Sequence, residues 1–337
     1  MKRPLLVFAG QSNMMGAAVY PPKEQIVFAR SFEYLHKPRR FGCAHGEFKS
    51  YGFPSGEFSY MDLEKAYGGA TDPTAKSELA DYGAHTYFCP SMSNLTDVDG
   101  REGTVPFAVY SEASMQPGTC LPPYLVELLE KEGLACAYAH ITKAGVPISF
   151  YLTEGAGYFA EKVRDFFAEA EEFFSEDDTS TRVLLWHQGE SDGGRSASAY
   201  LADLTELRKK ALALGFTHIC ILRVGIWGDP AIADIIRAQE EFCRIYPDCH
   251  MLTRVASYIP WAGMDNTDWL ASPIAEECQN CRDSFFGFGN QHINDKGFRT
   301  LAAHAAPNLI RLLWEGKEPI LEEEKVLALR AENIKPR

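Results

Sequence analysis

No apolar stretch of this chain approaches the length of a membrane-spanning helix. The run nearest the start, Pro4 to Ala9, is far shorter than the roughly 20 residues a bilayer core demands. It is also shorter than the apolar region of a signal peptide, about 7–15 residues, and Gly10-Gln11-Ser12-Asn13 interrupts it. Long basic runs are missing too: the longest is Arg208-Lys209-Lys210. Lys plus Arg number 33 against 46 Asp plus Glu, a formal charge of −13, which argues against a nucleic-acid scaffold or a polybasic membrane anchor. No Gly-rich loop ends in Lys-Ser/Thr, so a P-loop phosphoryl-transfer enzyme is excluded. Cys278-Gln279-Asn280-Cys281 has no second Cys-x-x-Cys to complete a zinc site, and its surroundings do not resemble a thioredoxin-like unit. Structural or free thiols are expected there. Internal repeats and low-complexity segments are absent.

What remains is the composition of an ordinary globular chain: 337 residues, 46% hydrophobic and 23% charged, enough to bury a large core. The nine cysteines are an odd number, and Cys136 and Cys220 lie inside strand-like runs. Reduced core thiols in a cytoplasmic protein are expected.

Apolar runs alternate with amphipathic stretches. Leu5 to Ala9, Ala135 to Ile141, Val183 to Trp186, Ile219 to Val224 and Met251 to Val255 read as five strands. Between them, Leu125, Leu128 and Leu129 share a helix face that ends at Gly133. Phe159, Val163, Phe166, Phe167 and Ala170 recur at the helical period. Tyr200, Leu201, Leu204, Leu207 and Leu212 mark another helix, Ala231 to Ile245 a fourth, and about Asp295 to Trp314 the last. Strands that are apolar throughout and separated by helices predict an α/β fold: a five-stranded parallel sheet in a three-layer, flavodoxin-like arrangement. The expected organisation is one domain over residues 1–316, interrupted by an inserted subregion at about 20–118, and a charged tail at 317–337. The insertion is expected to carry short strands and helices and to lie over the site. Its aromatic residues Tyr51, Phe53, Tyr60, Tyr67, Tyr87 and Phe88 suit either a sugar platform or a local core.

Ligands of such sheets bind beyond the carboxyl ends of the strands. After the first strand stands Gly10-Gln11-Ser12-Asn13-Met14, where a serine at a strand-to-helix turn is either an exposed nucleophile or a cap. After the second stands Lys143-Ala144-Gly145, where a glycine N–H can face an oxyanion or simply make a turn. After the third comes His187-Gln188-Gly189-Glu190-Ser191-Asp192, with an amide donor and a carboxylate able to orient a histidine. Ser191 and Asp192 also fit a helix cap, and His187 a structural hydrogen bond. Before the last helix stands Gly289-Asn290-Gln291-His292-Ile293-Asn294. Its imidazole is placed to reach back to the nucleophile, and the other eight histidines lack such a constellation.

Gly-Gln-Ser-Asn-Met, Trp-His-Gln-Gly-Glu-Ser-Asp and His-x-Asn-x-x-Gly, in that order, resemble the carbohydrate esterase branch of the SGNH hydrolases, including its sialate O-acetylesterase-like and acetylxylan esterase-like families. The resemblance covers residues 4–19 and about 118–316. It implies Ser12 as nucleophile, His292 as general base, and an oxyanion hole of Ser12 N–H, Gly145 N–H and the Gln188 amide. Many SGNH enzymes carry Asp three residues before the catalytic His, where this chain has Gly289. Some carbohydrate esterases of the family use the Glu of His-Gln-Gly-Glu instead, which makes Glu190 the third member, with Asp283 and Asp295 as substitutes. Arg237-Ala238-Gln239 resembles a structural helix motif of these families. The implied reaction is removal of O-acetyl groups from carbohydrates through an acyl-enzyme, with no cofactor and no metal. Its partner is a small-molecule or oligosaccharide acetyl ester, with neither nucleic acid nor membrane, and the acidic tail is a candidate dimer contact. A general short-chain acyl esterase and a non-catalytic carbohydrate-binding relative are the alternatives.

Overall fold

A computed structural model describes residues 1–15, 26–35, 47–52, 120–143, 145–225, 232–257, 293 and 295–321. All five expected strands are present: β1 (Leu5–Gly10), then, after four further strands, β6 (Ala137–Thr142), β7 (Arg182–His187), β8 (His218–Leu222) and β9 (Cys249–Thr253). Their spatial order is β6-β1-β7-β8-β9, all parallel. Numbered among themselves this is 2-1-3-4-5, the flavodoxin-like order, with β1 at the point where the winding reverses.

The sheet is wider than the five strands expected. β2 (Ile26–Val27), β3 (Phe32–Leu35), β4 (Glu47–Lys49) and β5 (Tyr51–Gly52) all come from the first part of the insertion. β3 adds a sixth parallel strand beside β6, pairing Phe32 with Ala137 and Tyr34 with Ala139, and β4 closes that edge antiparallel. This described part of the insertion therefore extends the sheet in its own plane, while β2 and β5 form a separate two-stranded ribbon. An aromatic cluster holds the edge: Phe48 stacks on Phe173 at 4.8 Å and tilts against Tyr34 at 5.0 Å. The Glu130 carboxylate accepts from the backbone N–H groups of Ala29, Arg30 and Ser31 at 2.6, 2.8 and 2.5 Å, tying the entry to β3 onto a helix. Residues 53–119, with Phe53, Tyr60, Tyr67, Tyr87 and Phe88, lie outside the described residues, as do 322–337 and the stretch holding Cys278 and Cys281.

Helices cover both faces, and the strands alternate between them. α1 is the four-residue turn Ser12–Met15 after β1. α2 (Leu121–Lys131) starts on Pro122 and Pro123, whose missing N–H groups fall where a first turn leaves donors unused, and ends before Gly133 at φ 77°. α2 and the last helix, α7 (Asp295–Leu313), bury Leu6 and Phe8 of β1 with Val183 and Leu185 of β7. The opposite face is packed by α4 (Ala156–Phe173), α5 (Ala197–Ala213) and α6 (Ile232–Ile245), against Leu5, Val7 and Ala9 with Leu184 and Trp186. Between β6 and α4 lies the short α3 (Ile148–Leu152). Adjacent residues of each strand thus enter different cores, which is why the strands read as apolar throughout. Cys120, Cys136, Cys220 and Cys249 are buried free thiols, and burial pushes Cys136 up to about 12. No helix among the described residues is long and apolar enough to cross a membrane.

Candidate functional site

The carboxyl ends of three neighbouring strands finish level, with Gly10 in register with Thr142 on one side and His187 on the other. The segments that leave them carry Ser12, Gly145, Gln188 and Glu190. All four therefore follow strands at the reversal point, the end of an open α/β sheet where ligands bind.

Ser12 is the first residue of α1 and is half-buried. Its turn is tightly tied. Gln11 donates its backbone N–H to the His187 carbonyl at 3.3 Å, and Met14 N–H returns to the Gln11 carbonyl at 2.9 Å. Beneath it the Gly10 carbonyl accepts from the Tyr151 hydroxyl at 2.5 Å and from Lys143 N–H at 3.1 Å. Burial raises Tyr151 well above the ordinary phenol range, so its hydroxyl stays neutral, and it also accepts from Lys143 N–H at 3.2 Å.

His140, fully buried on β6, holds the other end of the turn by donating Nε2–H to the Met14 carbonyl at 2.7 Å. Burial lowers its pKa from 6.5 to about 4, against a smaller opposing pull from that hydrogen bond. The folded state then binds fewer protons than the unfolded chain between those values. Its contribution is complete above about pH 6.5 and is lost as the pH falls through 4, to a total of about 3 kcal/mol. In His140→Gln, which keeps a donor and does not titrate, urea unfolding at pH 7 and pH 4 is expected to show an acid-induced loss smaller by about that amount. Equal losses in the two proteins would mean that this imidazole is not held neutral.

Gly145 sits in the turn after β6 at φ 70°, with no atom within 4 Å of where a Cβ would stand. Gln188 is less open than its residue type suggests. Its side chain is fully buried, and Nε2 lies within bonding distance of Gln11 Oε1 (3.1 Å), the Val146 carbonyl (3.2 Å) and Asp192 Oδ2 (2.6 Å). The Tyr200 hydroxyl donates to Gln188 Oε1 at 3.0 Å and to its backbone carbonyl at 2.9 Å, and Gln239 Nε2 reaches that carbonyl at 2.8 Å. Three acceptors for two amide hydrogens leave no donor to spare, so a bond to an oxyanion requires one of these to exchange. What Gln188 does in this arrangement is anchor the turn that bears Gly145, through Val146. Gln239 is structural as expected, and Arg237 is exposed on the far side of its helix.

Asp192 caps a helix, but not the next one along the chain. Its Oδ2 accepts from Ile148 N–H at 2.8 Å at the start of α3, and Arg195 neutralises Oδ1 at 2.8 Å. His187 is the structural hydrogen-bonder expected, donating Nδ1–H to the Leu222 carbonyl at 2.8 Å and so tying β7 to β8. Its Nε2 lies 3.8 Å from Glu190 Oε1.

Glu190 opens a short 3-10 turn, and Oε1 accepts from Asn13 Nδ2 at 2.9 Å. Among the described residues its buried Oε2 accepts no hydrogen bond. His292 lies outside the described residues, as does Asp283, and nothing is described of the Asp295 side chain. The residue after His292 is placed: Ile293 is buried and donates its backbone N–H to Asn13 Oδ1 at 2.9 Å. Asn13 therefore joins the Glu190 turn to the segment before α7. The sequence by itself assigns Asn13 no role, although the residue lies inside the Gly-Gln-Ser-Asn-Met motif. Among the described residues a separate cavity of ≈ 890 Å³ lies along edge strand β9, lined by Ile236, Cys243, Met251 and Leu321 among others, and none of the expected site residues touches it.

No protein-family model and no curated protein matches the chain. Solved structures do resemble it. NanS has a TM-score of 0.51 at 10% identity, covering 94% of this chain and 98% of its own. A protein from Arabidopsis thaliana has a TM-score of 0.49 at 12% identity, over 91% and 97%. A family 3 carbohydrate esterase from Clostridium thermocellum has a TM-score of 0.34 at 10% identity, over 56% and 86%. At such identities the likeness to NanS is one of fold, and it runs nearly the full length of both chains.

Proposed function

We propose that this chain is a serine esterase that removes O-acetyl groups from carbohydrates. The observation that carries the reading is the Asn13 bridge. The residue after Ser12 is bonded both to Glu190 and to the residue after His292, so a residue of each of the three motifs meets at this amide. Ser12 and His292 each stand next in the chain to a residue of that contact. The fold shared with NanS agrees with the motif resemblance.

In this reading His292 takes the Ser12 proton as Oγ attacks the acetyl carbonyl, because a neutral hydroxyl is a poor nucleophile. Glu190 Oε2 accepts from the imidazole, setting its tautomer and stabilising the imidazolium. The N–H groups of Ser12 and Gly145 receive the oxyanion, and Gln188 joins them by exchanging one of its present acceptors. The imidazolium of His292 then protonates the departing sugar oxygen as its bond to the acetyl carbon breaks, freeing the sugar hydroxyl. Water deprotonated by the same ring attacks the acetyl-serine, acetate leaves, and Ser12 recovers its proton. The substrate is an acetylated small molecule or oligosaccharide.

The test is acetate release from acetylated xylo-oligosaccharides, sialic acids and hexosamines, with rates measured against acyl length. The expected result is release from at least one sugar class and a fall in kcat/KM of about tenfold or more from acetate to butyrate, the scale that methylenes carry in a shaped pocket. A flat profile to octanoate means a general short-chain esterase, and saturable sugar binding without acetate release means a binding protein.

A further inference from the structure

The geometry points to Asn13 as the positioning residue that fixes the triad acid relative to the segment carrying the triad base, an inference that rests on the esterase reading. The side chain is 2% exposed, and its bonds to Glu190 and Ile293 reach residues 177 and 280 positions away. Its orientation has one solution. Ile293 N–H can only donate, so the amide atom facing it is Oδ1, and Nδ2 must then face Glu190 Oε1. A carboxylate turns easily about its last bond, whose torsion is broad. A donor on Oε1 selects one plane and leaves Oε2 directed elsewhere. Oε2 is also the oxygen that accepts nothing among the described residues, and it is the one an imidazole N–H needs.

The same amide acts on both sides of the hydrogen bond that matters. It orients Glu190 through Nδ2 and holds the backbone beside His292 through Oδ1. Other residue types break one half of this. Aspartate presents oxygen to Glu190, serine reaches neither partner, and glutamine is a methylene too long. Among the described residues, the His187 ring of β7 also lies 3.8 Å from Glu190 Oε1, and the Glu190 charge acts on the buried Tyr200 hydroxyl of α5.

Asn13→Asp is nearly isosteric and replaces the donor by a carboxyl that meets Glu190 at the position of a 2.9 Å bond. Two carboxyls so placed do not both ionise readily, and the added negative charge also favours the protonated form of His292. Both effects move the acid limb of kcat/KM for a chromogenic acetate toward higher pH, by about one unit or more. Asn13→Ser loses both bonds, and kcat is expected to fall by about 10- to 100-fold with KM little changed, as for a misplacement of roughly 1 Å. An acid limb unmoved in folded Asn13→Asp, or wild-type kcat in Asn13→Ser, overturns the inference; where Asn13→Asp does not fold, Asn13→Ser decides alone. Hydrolysis that survives Ser12→Ala fells the Ser12–His292–Glu190 assignment on which the inference rests, whereas activity lost in Ser12→Ala with wild-type behaviour of both Asn13 variants fells only the role of Asn13.

Discussion

Ser12→Ala is expected to lower hydrolysis of a small chromogenic acetate by about 10⁶-fold in kcat while leaving unfolding by urea within about 1 kcal/mol of the parent. The size follows from the chemistry. Without Oγ no acyl-enzyme forms, and the base and oxyanion donors can only help water attack directly, which in serine hydrolases leaves a small residue of the rate. The small effect on stability follows from the position. Ser12 is half-buried, and the turn is held by backbone and neighbouring groups: Gln11 N–H on His187, His140 on the Met14 carbonyl, and Asn13 on Glu190. None of these bonds uses the Ser12 hydroxyl. Unchanged turnover would move the nucleophile to another residue, and with it the assignments of His292 and Glu190.

The parts of this molecule that can be read from its sequence are those whose signal is local. β1 is legible because Leu5 to Ala9 enter two different cores in alternation, which demands apolar residues at every position. α4 is legible because Phe159, Val163, Phe166, Phe167 and Ala170 fill one face at the helical period, and the same five are the ones buried. β3 is not. It is four residues long, and it carries Glu33 at 1% exposure, a residue that argues against a buried strand. Its burial depends on Phe48 and on Phe166, Phe173 and Phe174, more than a hundred residues later, and on Glu130 gripping the backbone ahead of it. The site divides in the same way. Strand ends are local features, so the segments holding Ser12, Gly145, Gln188 and Glu190 can be named from the chain alone. How each polar group spends its hydrogens is a tertiary property. Gln188 reads as a free donor by residue type, yet Gln11, Val146 and Asp192 all claim its amide. Asp192 reads as a cap for the helix downstream of it, yet it caps α3, 44 residues earlier.

Gly10→Ala is expected to destabilise the protein by about 4 kcal/mol or more in urea unfolding, a loss at the extreme end for single substitutions. Two penalties coincide there. Gly10 lies at φ +150°, where an L side chain is strained, and an added Cβ would stand 2.0 Å from the His187 carbonyl oxygen and 2.7 Å from its carbon. Neither obstacle is a flexible side-chain end. The obstructing atoms are the backbone of β7, and that same oxygen receives the Gln11 N–H at 3.3 Å, so relief requires β1 and β7 to part at their carboxyl ends. The Ser12 turn must move with them, and hydrolysis should fall further than the loss of folded protein explains. Gly145→Ala is the matched comparison. Its φ of +70° is also unfavourable, but nothing lies within 4 Å of the new methyl, so the conformational strain acts alone, at about 1 kcal/mol. If Gly10→Ala proved no worse than Gly145→Ala, the end of β1 would not lie against the His187 carbonyl, and the site built on that contact would have to be redrawn.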